Sequence, residues 1–438
     1  MSGFEFKPLL RGGPLRQLLL AVVTLAAALM TLDVKVRAIG WRWEFPQLSL
    51  HEPTRALFTV AEDSRRAART GVGHSFASEE CELCSEAEVE RAFAALLEEG
   101  ARYRATGHRR QVGPRWREEV QAARLVALAG WGRPSALTEL RNANLAAFPD
   151  YVLERAGELV SGDDGPERER MAHARRSSVR VWLGGGLMLF ALGTLVALGL
   201  GFRYPRRPAR SQLPVPDFWR GLVVFIWANG FRSACTLLRW DSPDGALAFI
   251  TTVPSLVPAL VVPLLLYGTR ATRDEAPVGA LVGCPADAGS RRAQLVFALA
   301  TSGALLAFWR VGWLLLHRVG LEPGWPEGFN ELLRFGSPEA AAMRAFSSVV
   351  LAPFGEELLY RGALFGALRS RLSLHRAALF SGLVFAAVHG YGLLGSTFVA
   401  LSGYLWARLA ARTGSLWPAM LSHALVNLSI ELALLSRR

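Results

Sequence analysis

Six polar residues near the C-terminus, Glu356, Glu357, Arg361, His389, His423 and Asn427, lie inside apolar runs long enough to cross a bilayer. A carboxylate or imidazole in hydrocarbon is costly, so polar side chains at that depth mark function by default. Their types supply what hydrolysis needs. Glu356 is a candidate general base, His389 a group to help hold the attacking water, and His423 with Asn427 a donor pair for an oxyanion. Glu357 and Arg361 are spaced i, i+4 with the acid first, so one buried charge neutralises the other. Glu356 is rotated by about 100° from Glu357 and can face a different partner. His423 and Asn427 are again i, i+4, which presents two donors towards one point. Phe385 shares a face with His389 and packs beside the imidazole.

A second chemistry uses the same groups. Glu356, His389 and His423 could ligate a divalent metal such as zinc, which would itself activate the water. The H-E-x-x-H pattern of the common zinc proteases is absent. Ser422 has no acid placed to complete a serine triad. His317 and His375 sit at the ends of apolar runs beside arginines and read as interfacial.

The elements that must carry these residues follow from the apolar runs. Spans of about 20 residues are expected near 181–202, 219–238, 246–267, 293–316, 344–367, 376–391, 393–410 and 415–434. An uncleaved N-terminal anchor (residues 1–33, with Leu18 to Leu32 as its apolar run) brings the total to about nine. At about 1.5 Å per residue, Glu356 lies about 18 Å below the outer start of its helix. His389 lies about 18 Å above the inner start of its own, and His423 about 13–14 Å. In a core about 30 Å thick, all three fall near the midplane, as one cavity requires.

Lys7 and Lys35 are the only lysines among 49 basic residues, a bias that points to a GC-rich bacterial genome. The net charge of +12 is carried by arginines clustered at the ends of apolar runs. Arg203, Arg206, Arg207 and Arg210, then Arg270 and Arg273, then Arg369, Arg371 and Arg376, then Arg408 and Arg412 follow alternate spans. They obey the positive-inside rule with a cytoplasmic N-terminus. The expected partners are therefore the bilayer of a bacterial inner membrane and a protein or peptide substrate, with no nucleic acid. Arg232, amid Phe231 and Ala234, reads as a bundle-facing or snorkelling side chain.

Residues 34–180 are charged and read as a soluble helical accessory domain outside the cytoplasm. Ser85-Glu-Ala-Glu88 is a capping box, with Val89, Phe93, Leu96 and Leu97 at helical spacing and Gly100 closing the helix. Further amphipathic helices are expected around Trp116 to Ala129, Ser135 to Phe148 and Tyr151 to Val160, ahead of a Gly-Asp-Asp-Gly-Pro linker. Cys81 and Cys84 form an isolated C-x-x-C, a local disulfide or two unremarkable thiols. Residues 181–343 supply the membrane helices that precede a catalytic membrane core at 344–434. The fold class is all-α: a polytopic membrane helix bundle with a small extracytoplasmic helical insert.

E-E-x-x-x-R (Glu356, Glu357, Arg361), F-x-x-x-H (Phe385, His389) and H-x-x-x-N (His423, Asn427), in that order on successive apolar helices, resemble the CPBP family. That family of glutamic-type intramembrane proteases includes type II CAAX prenyl endopeptidases and bacteriocin-processing and self-immunity proteins. The resemblance covers about Arg344 to Ile430, roughly a fifth of the 438 residues. It implies that Glu356 and His389 hold the nucleophilic water, that Glu357 and Arg361 support them, and that His423 and Asn427 form the oxyanion hole. The anchor and the insert are not part of the family core. With that outside domain, the chain is similar in architecture to the myxosortase-like branch, which cleaves C-terminal sorting tails of exported proteins. The competing reading is a non-catalytic immunity factor or scaffold with the same fold. A transporter ranks behind both, since no inverted repeat is visible.

Overall fold

The computed structural model describes residues 14–44, 57–58, 61, 85–105, 116–143, 150–161, 218–237, 288–318, 338–389, 391 and 393–435. Every regular element among these described residues is helical, and none is a strand. In chain order they are α1 (Pro14–Glu44), α2 (Glu86–Ala105), α3 (Trp116–Gly130), α4 (Pro134–Asn142), α5 (Asp150–Ser161), α6 (Phe218–Leu237) and α7 (Ala288–Arg318). A composite helix α8 (338–369), α9 (Leu374–His389), α10 (Leu393–Thr413) and α11 (Trp417–Leu435) complete the set. The expected spans at 181–202 and 246–267, and Cys81 and Cys84, lie outside the described residues. The chain divides into two compact units: Met1–Ala38, Val181–Leu315 and Leu332–Arg438 form the first, Ile39–Arg180 and Leu316–Glu331 the second.

In the second unit the capping box is formed reciprocally. Ser85 N donates to Glu88 Oε2 at 2.8 Å, and Glu88 N donates to Ser85 Oγ at 3.3 Å. Val89, Phe93 and Leu96 are fully buried against Val120, Ala123 and Val126 of α3 and Leu140 of α4. Each such side chain stabilises the unit by about 1.5–3 kcal/mol relative to exposure. Gly100 departs from expectation. Helix α2 runs on to Ala105, and a Cβ at position 100 would lie 2.0 Å from the Trp116 ring. The glycine makes room for an indole instead of ending the helix. On the outer face of α2, Glu90 accepts from Arg124 Nε at 2.5 Å and from Arg133 Nη1 at 2.5 Å. The Arg124 hydrogen bond holds Glu90 below the usual carboxylate range.

In the first unit, one described helical segment, Arg291–Trp309 in α7, is long and apolar enough by itself to cross a membrane. Leu18–Asp33 and Leu374–His389 are shorter apolar helices. Helix α1 leaves Leu18, Leu19, Val22, Leu25, Leu29 and Leu32 exposed, the mark of a surface that meets lipid or another protein. Its other face is docked on α6. Trp227 Nε1 donates to Thr24 Oγ1 at 2.9 Å, and a Cβ at Gly230 would come within 2.7 Å of Ala27 Cβ. Small residues bring α9 and α10 equally close: a Cβ at Gly403 would lie 2.7 Å from Gly382 Cα.

The run expected as one helix over 344–367 is not α-helical throughout. Composite α8 reads α-helix at Pro338–Phe346, π-helix at Ser347–Leu351, α-helix at Ala352–Glu356, π-helix at Glu357–Phe365 and α-helix at Gly366–Arg369. Pro353 explains the first widening. Proline has no N–H to donate and its ring crowds the carbonyl four residues earlier. The turn before it opens, and Ala352 N bonds Ser347 O five residues back. The second widening begins at Glu357, where the motif begins. π-turns of this kind concentrate at functional sites.

Candidate active site

Five helices of the first unit meet at the motif residues. Helix α8 delivers Glu356, Glu357 and Arg361, α9 delivers His389, α11 delivers His423, α10 contributes Trp406 and α6 contributes Arg232. Residues four apart lie on one face of the helix. Arg361 Nη1 accordingly sits 2.9 Å from Glu357 Oε1.

Both members of this pair are sealed from solvent, Glu357 at 0% and Arg361 at 1% exposure. Burying two charges is expensive and must be offset by geometry and further contacts. Glu357 Oε1 also faces His423 Nδ1 at 2.9 Å, so one oxygen serves two partners. The Arg361 guanidinium lies over the Phe385 ring at 4.5 Å and the Trp406 ring at 5.1 Å, adding cation–π attraction. The Glu357–Arg361 contact is an ion pair by distance. Among the described residues, Arg361 Nε, Nη1 and Nη2 and Glu357 Oε2 make no aligned hydrogen bond. Charge and ring faces, not directed hydrogen bonds, hold this guanidinium.

His423 is clamped from two sides. Its ring stacks on Trp406 with centroids 4.1 Å apart and planes 18° apart, while Phe385 stands edge-on at 5.9 Å. The Trp406 Nε1–H donates to Ser422 Oγ at 3.0 Å, and Ser302 Oγ donates to the same hydroxyl at 3.0 Å. Ser422 therefore fixes the indole that fixes the imidazole. With Nδ1 directed at a carboxylate, His423 turns Nε2 towards Glu356, whose Oε2 lies 3.9 Å away.

Glu356 is 7% exposed, and its Oε1 accepts from Arg232 Nη2 at 3.1 Å. The sequence shows Arg232 as a charge stranded in an apolar run, but spacing along one chain cannot tell which carboxylate lies across the bundle from it. His389 Nδ1 donates to Phe385 O at 2.6 Å, so in the neutral ring Nε2 is the acceptor nitrogen. The Phe385 ring stands edge-on to it at 4.6 Å. Both His389 and His423 interact electrostatically with the Glu356 carboxylate.

Asn427 has a partner of its own on α8. Its Nδ2 donates to Ser348 O at 2.8 Å, a carbonyl in the turn opened by Pro353. His375 pairs with Tyr404 Oη at 2.9 Å and Arg408 Nη1 at 2.9 Å at an exposed helix end, away from the motif residues. Among the described residues, no three His, Cys, Asp or Glu side chains converge at metal-ligating spacing.

Comparison with known proteins converges on the same stretch. Residues 338–429 match the family model described as "Type II CAAX prenyl endopeptidase Rce1-like". A Bacillus subtilis (strain 168) protein named "Putative membrane peptidase YdiL" is 29% identical over 89 residues, covering 20% of this chain and 36% of that relative. The chain thus spans about a third of the length of the curated relative it matches. No solved structure matches the chain significantly. All six motif residues lie inside the matched stretch, so that stretch of the chain is similar to the Rce1-like, CAAX-type membrane peptidases.

Proposed function

We propose that the chain is an integral membrane endopeptidase that hydrolyses a peptide bond in or near the membrane-embedded segment of a protein substrate. The observation that carries this reading is the facing of Glu356 Oε2 and His423 Nε2, 3.9 Å apart, above a sealed Glu357–Arg361 pair. A water between Glu356 and His389 gives a proton to Glu356 as its oxygen attacks the substrate carbonyl carbon. The oxyanion of the tetrahedral intermediate is stabilised by His423 and Asn427. The Asn427 amide has two hydrogens; one is on Ser348 O, and the other is the donor this reading uses. Glu356 then returns the proton to the departing amine nitrogen as the C–N bond breaks. Glu357 and Arg361 hold His423 in orientation.

About nine membrane spans, a cytoplasmic N-terminus and a bacterial inner-membrane location are supported by the alternation of arginine-rich loops. Residues 34–180 would then form an extracytoplasmic accessory domain, suited to presenting C-terminal sorting tails of exported proteins.

Comparison of membrane and surface proteomes from cells carrying the wild type, Glu356→Ala or His389→Ala tests the reading. Each variant should leave the same protein tail uncut, with cleavage reduced about 100- to 10,000-fold while the protease itself accumulates. Retained cleavage in either variant overturns the assignment. A Glu356→Gln variant that retains full biological function would instead mark an immunity factor or scaffold, since glutamine keeps size and hydrogen bonding but is no base.

A further inference from the structure

Arg232 lies about 100 residues before the stretch that carries the family match, on a helix that match does not include. A guanidinium within an apolar helix is expensive unless it has a partner, and its partner here is the proposed base itself. Arg232 Nη2 lies 3.1 Å from Glu356 Oε1; the arginine side chain is 30% exposed and the glutamate side chain 9%.

The helix that bears Arg232 is held on two sides. Towards the site, Tyr360 Oη donates to Asn229 Oδ1 at 3.3 Å, and Phe225 stands edge-on to the Tyr360 ring at 5.4 Å. Tyr360 belongs to the widened segment that begins at Glu357, so α6 is keyed to the turn next to the base. Away from the site, Gly230 and Trp227 are docked on Ala27 and Thr24 of α1. A chain of contacts therefore runs from the N-terminal helix through α6 to one carboxylate oxygen.

We propose that Arg232 is a positioning residue for Glu356: it occupies Oε1, so that Oε2 is the oxygen turned to His423 and the water. This rests on Glu356 being the base. A rotating carboxylate would present either oxygen to any donor in reach. An arginine fixed from behind by α1 and Tyr360 removes that freedom, and a charge-assisted hydrogen bond is the strong kind suited to do so. It also assigns a task to the N-terminal helix, as the backstop of the helix that orients the base.

The test is kinetic, using an internally quenched peptide with the sequence of the tail left uncut in Glu356→Ala cells. Wild type, Arg232→Gln, Arg232→Lys and Glu356→Ala are compared as full-length protein in detergent or liposomes. Arg232→Gln should lower kcat about 10- to 100-fold, the scale of one misplaced charge-assisted hydrogen bond, with KM within about threefold. Arg232→Lys should recover at least half of that loss on a logarithmic scale, because a point charge can still reach Oε1 although without the planar fork. Wild-type or raised kcat in Arg232→Gln overturns the proposal, the latter because the arginine would then block the base. A loss confined to KM, or Arg232→Lys no better than Arg232→Gln, overturns it too. If Arg232→Gln does not fold, Gly230→Ala replaces it: the added Cβ pushes α6 off Ala27 with Arg232 intact, and an unchanged kcat overturns the proposal. Cleavage by Glu356→Ala, or the absence of any uncut tail, is a different result: it removes the base itself and the proposal with it.

Discussion

At the scale of single residues, the site is built around a sealed ion pair whose members do not align for hydrogen bonding. That makes its dependence on each partner asymmetric. Removing one member strands the other as an uncompensated buried charge, at about 3–5 kcal/mol. Removing both in favour of apolar side chains avoids that cost. Arg361→Leu should therefore lower the thermal midpoint of the purified protein strongly. The Glu357→Leu/Arg361→Leu double variant should melt well above the sum of the two single losses. Strict additivity in that cycle would show that the pair is not coupled. The pair itself was legible in the sequence, because i, i+4 spacing with the acid first is a local rule. The Arg232–Glu356 contact was not, since 124 positions separate the two and no periodicity links them. Asn427 was legible as a polar group at depth but not as a cap on Ser348, because only the opened turn reveals which carbonyl needs a donor.

At the scale of elements, the apolar runs near 219–238, 293–316, 376–391, 393–410 and 415–434 emerge as α6, α7, α9, α10 and α11 with ends shifted by a few residues. Composite α8 is where counting by 3.6 fails. Pro353 announces the first irregularity, whereas residues 357–365 hold no proline and take their geometry from their neighbours. One such neighbour is Ser381 on α9, whose hydroxyl donates to Tyr360 O at 3.1 Å. The depth arithmetic for Glu356 thus used the wrong helix type for part of its path. Helix α9 contacts α8 and also lies close against α10. A Cβ at Gly382 would meet Ala400 O at 2.6 Å and Tyr404 N at 2.9 Å, backbone atoms that cannot swing aside. Gly382→Ala should cost about 1–3 kcal/mol in stability and lower activity, through separation of α9 from α10. A wild-type melting profile would show that the two helices slide apart freely.

At the scale of the molecule, the two units differ in what they expose. The first exposes apolar side chains along α1 and α9, whereas the second has a compact core beneath a charged surface. Acid acts on the second through Glu90. Its carboxyl is held below the usual range by Arg124, so its contribution is present above the unfolded value near 4.5 and is lost as pH falls through the depressed folded value. Hydrogen exchange at α2 and α3 amides in the full-length protein should accelerate as the pH falls below about 4.5, relative to the intrinsic rate. Glu90→Gln should flatten that response, and an identical slope in the variant would remove Glu90 as its source. Back in the first unit, one side chain of α10 touches three other helices: Trp406 stacks on His423 of α11, stands edge-on to Phe385 of α9 at 6.1 Å and lies beneath Arg361 of α8. An indole at such a junction is a built-in optical probe. An excited indole changes emission when a stacked neighbour moves away and when water reaches it. The difference spectrum between the wild type and Trp406→Phe, which isolates one fluorophore among 13 tryptophans, therefore registers the indole–imidazole contact and the opening of the bundle without any substrate at all.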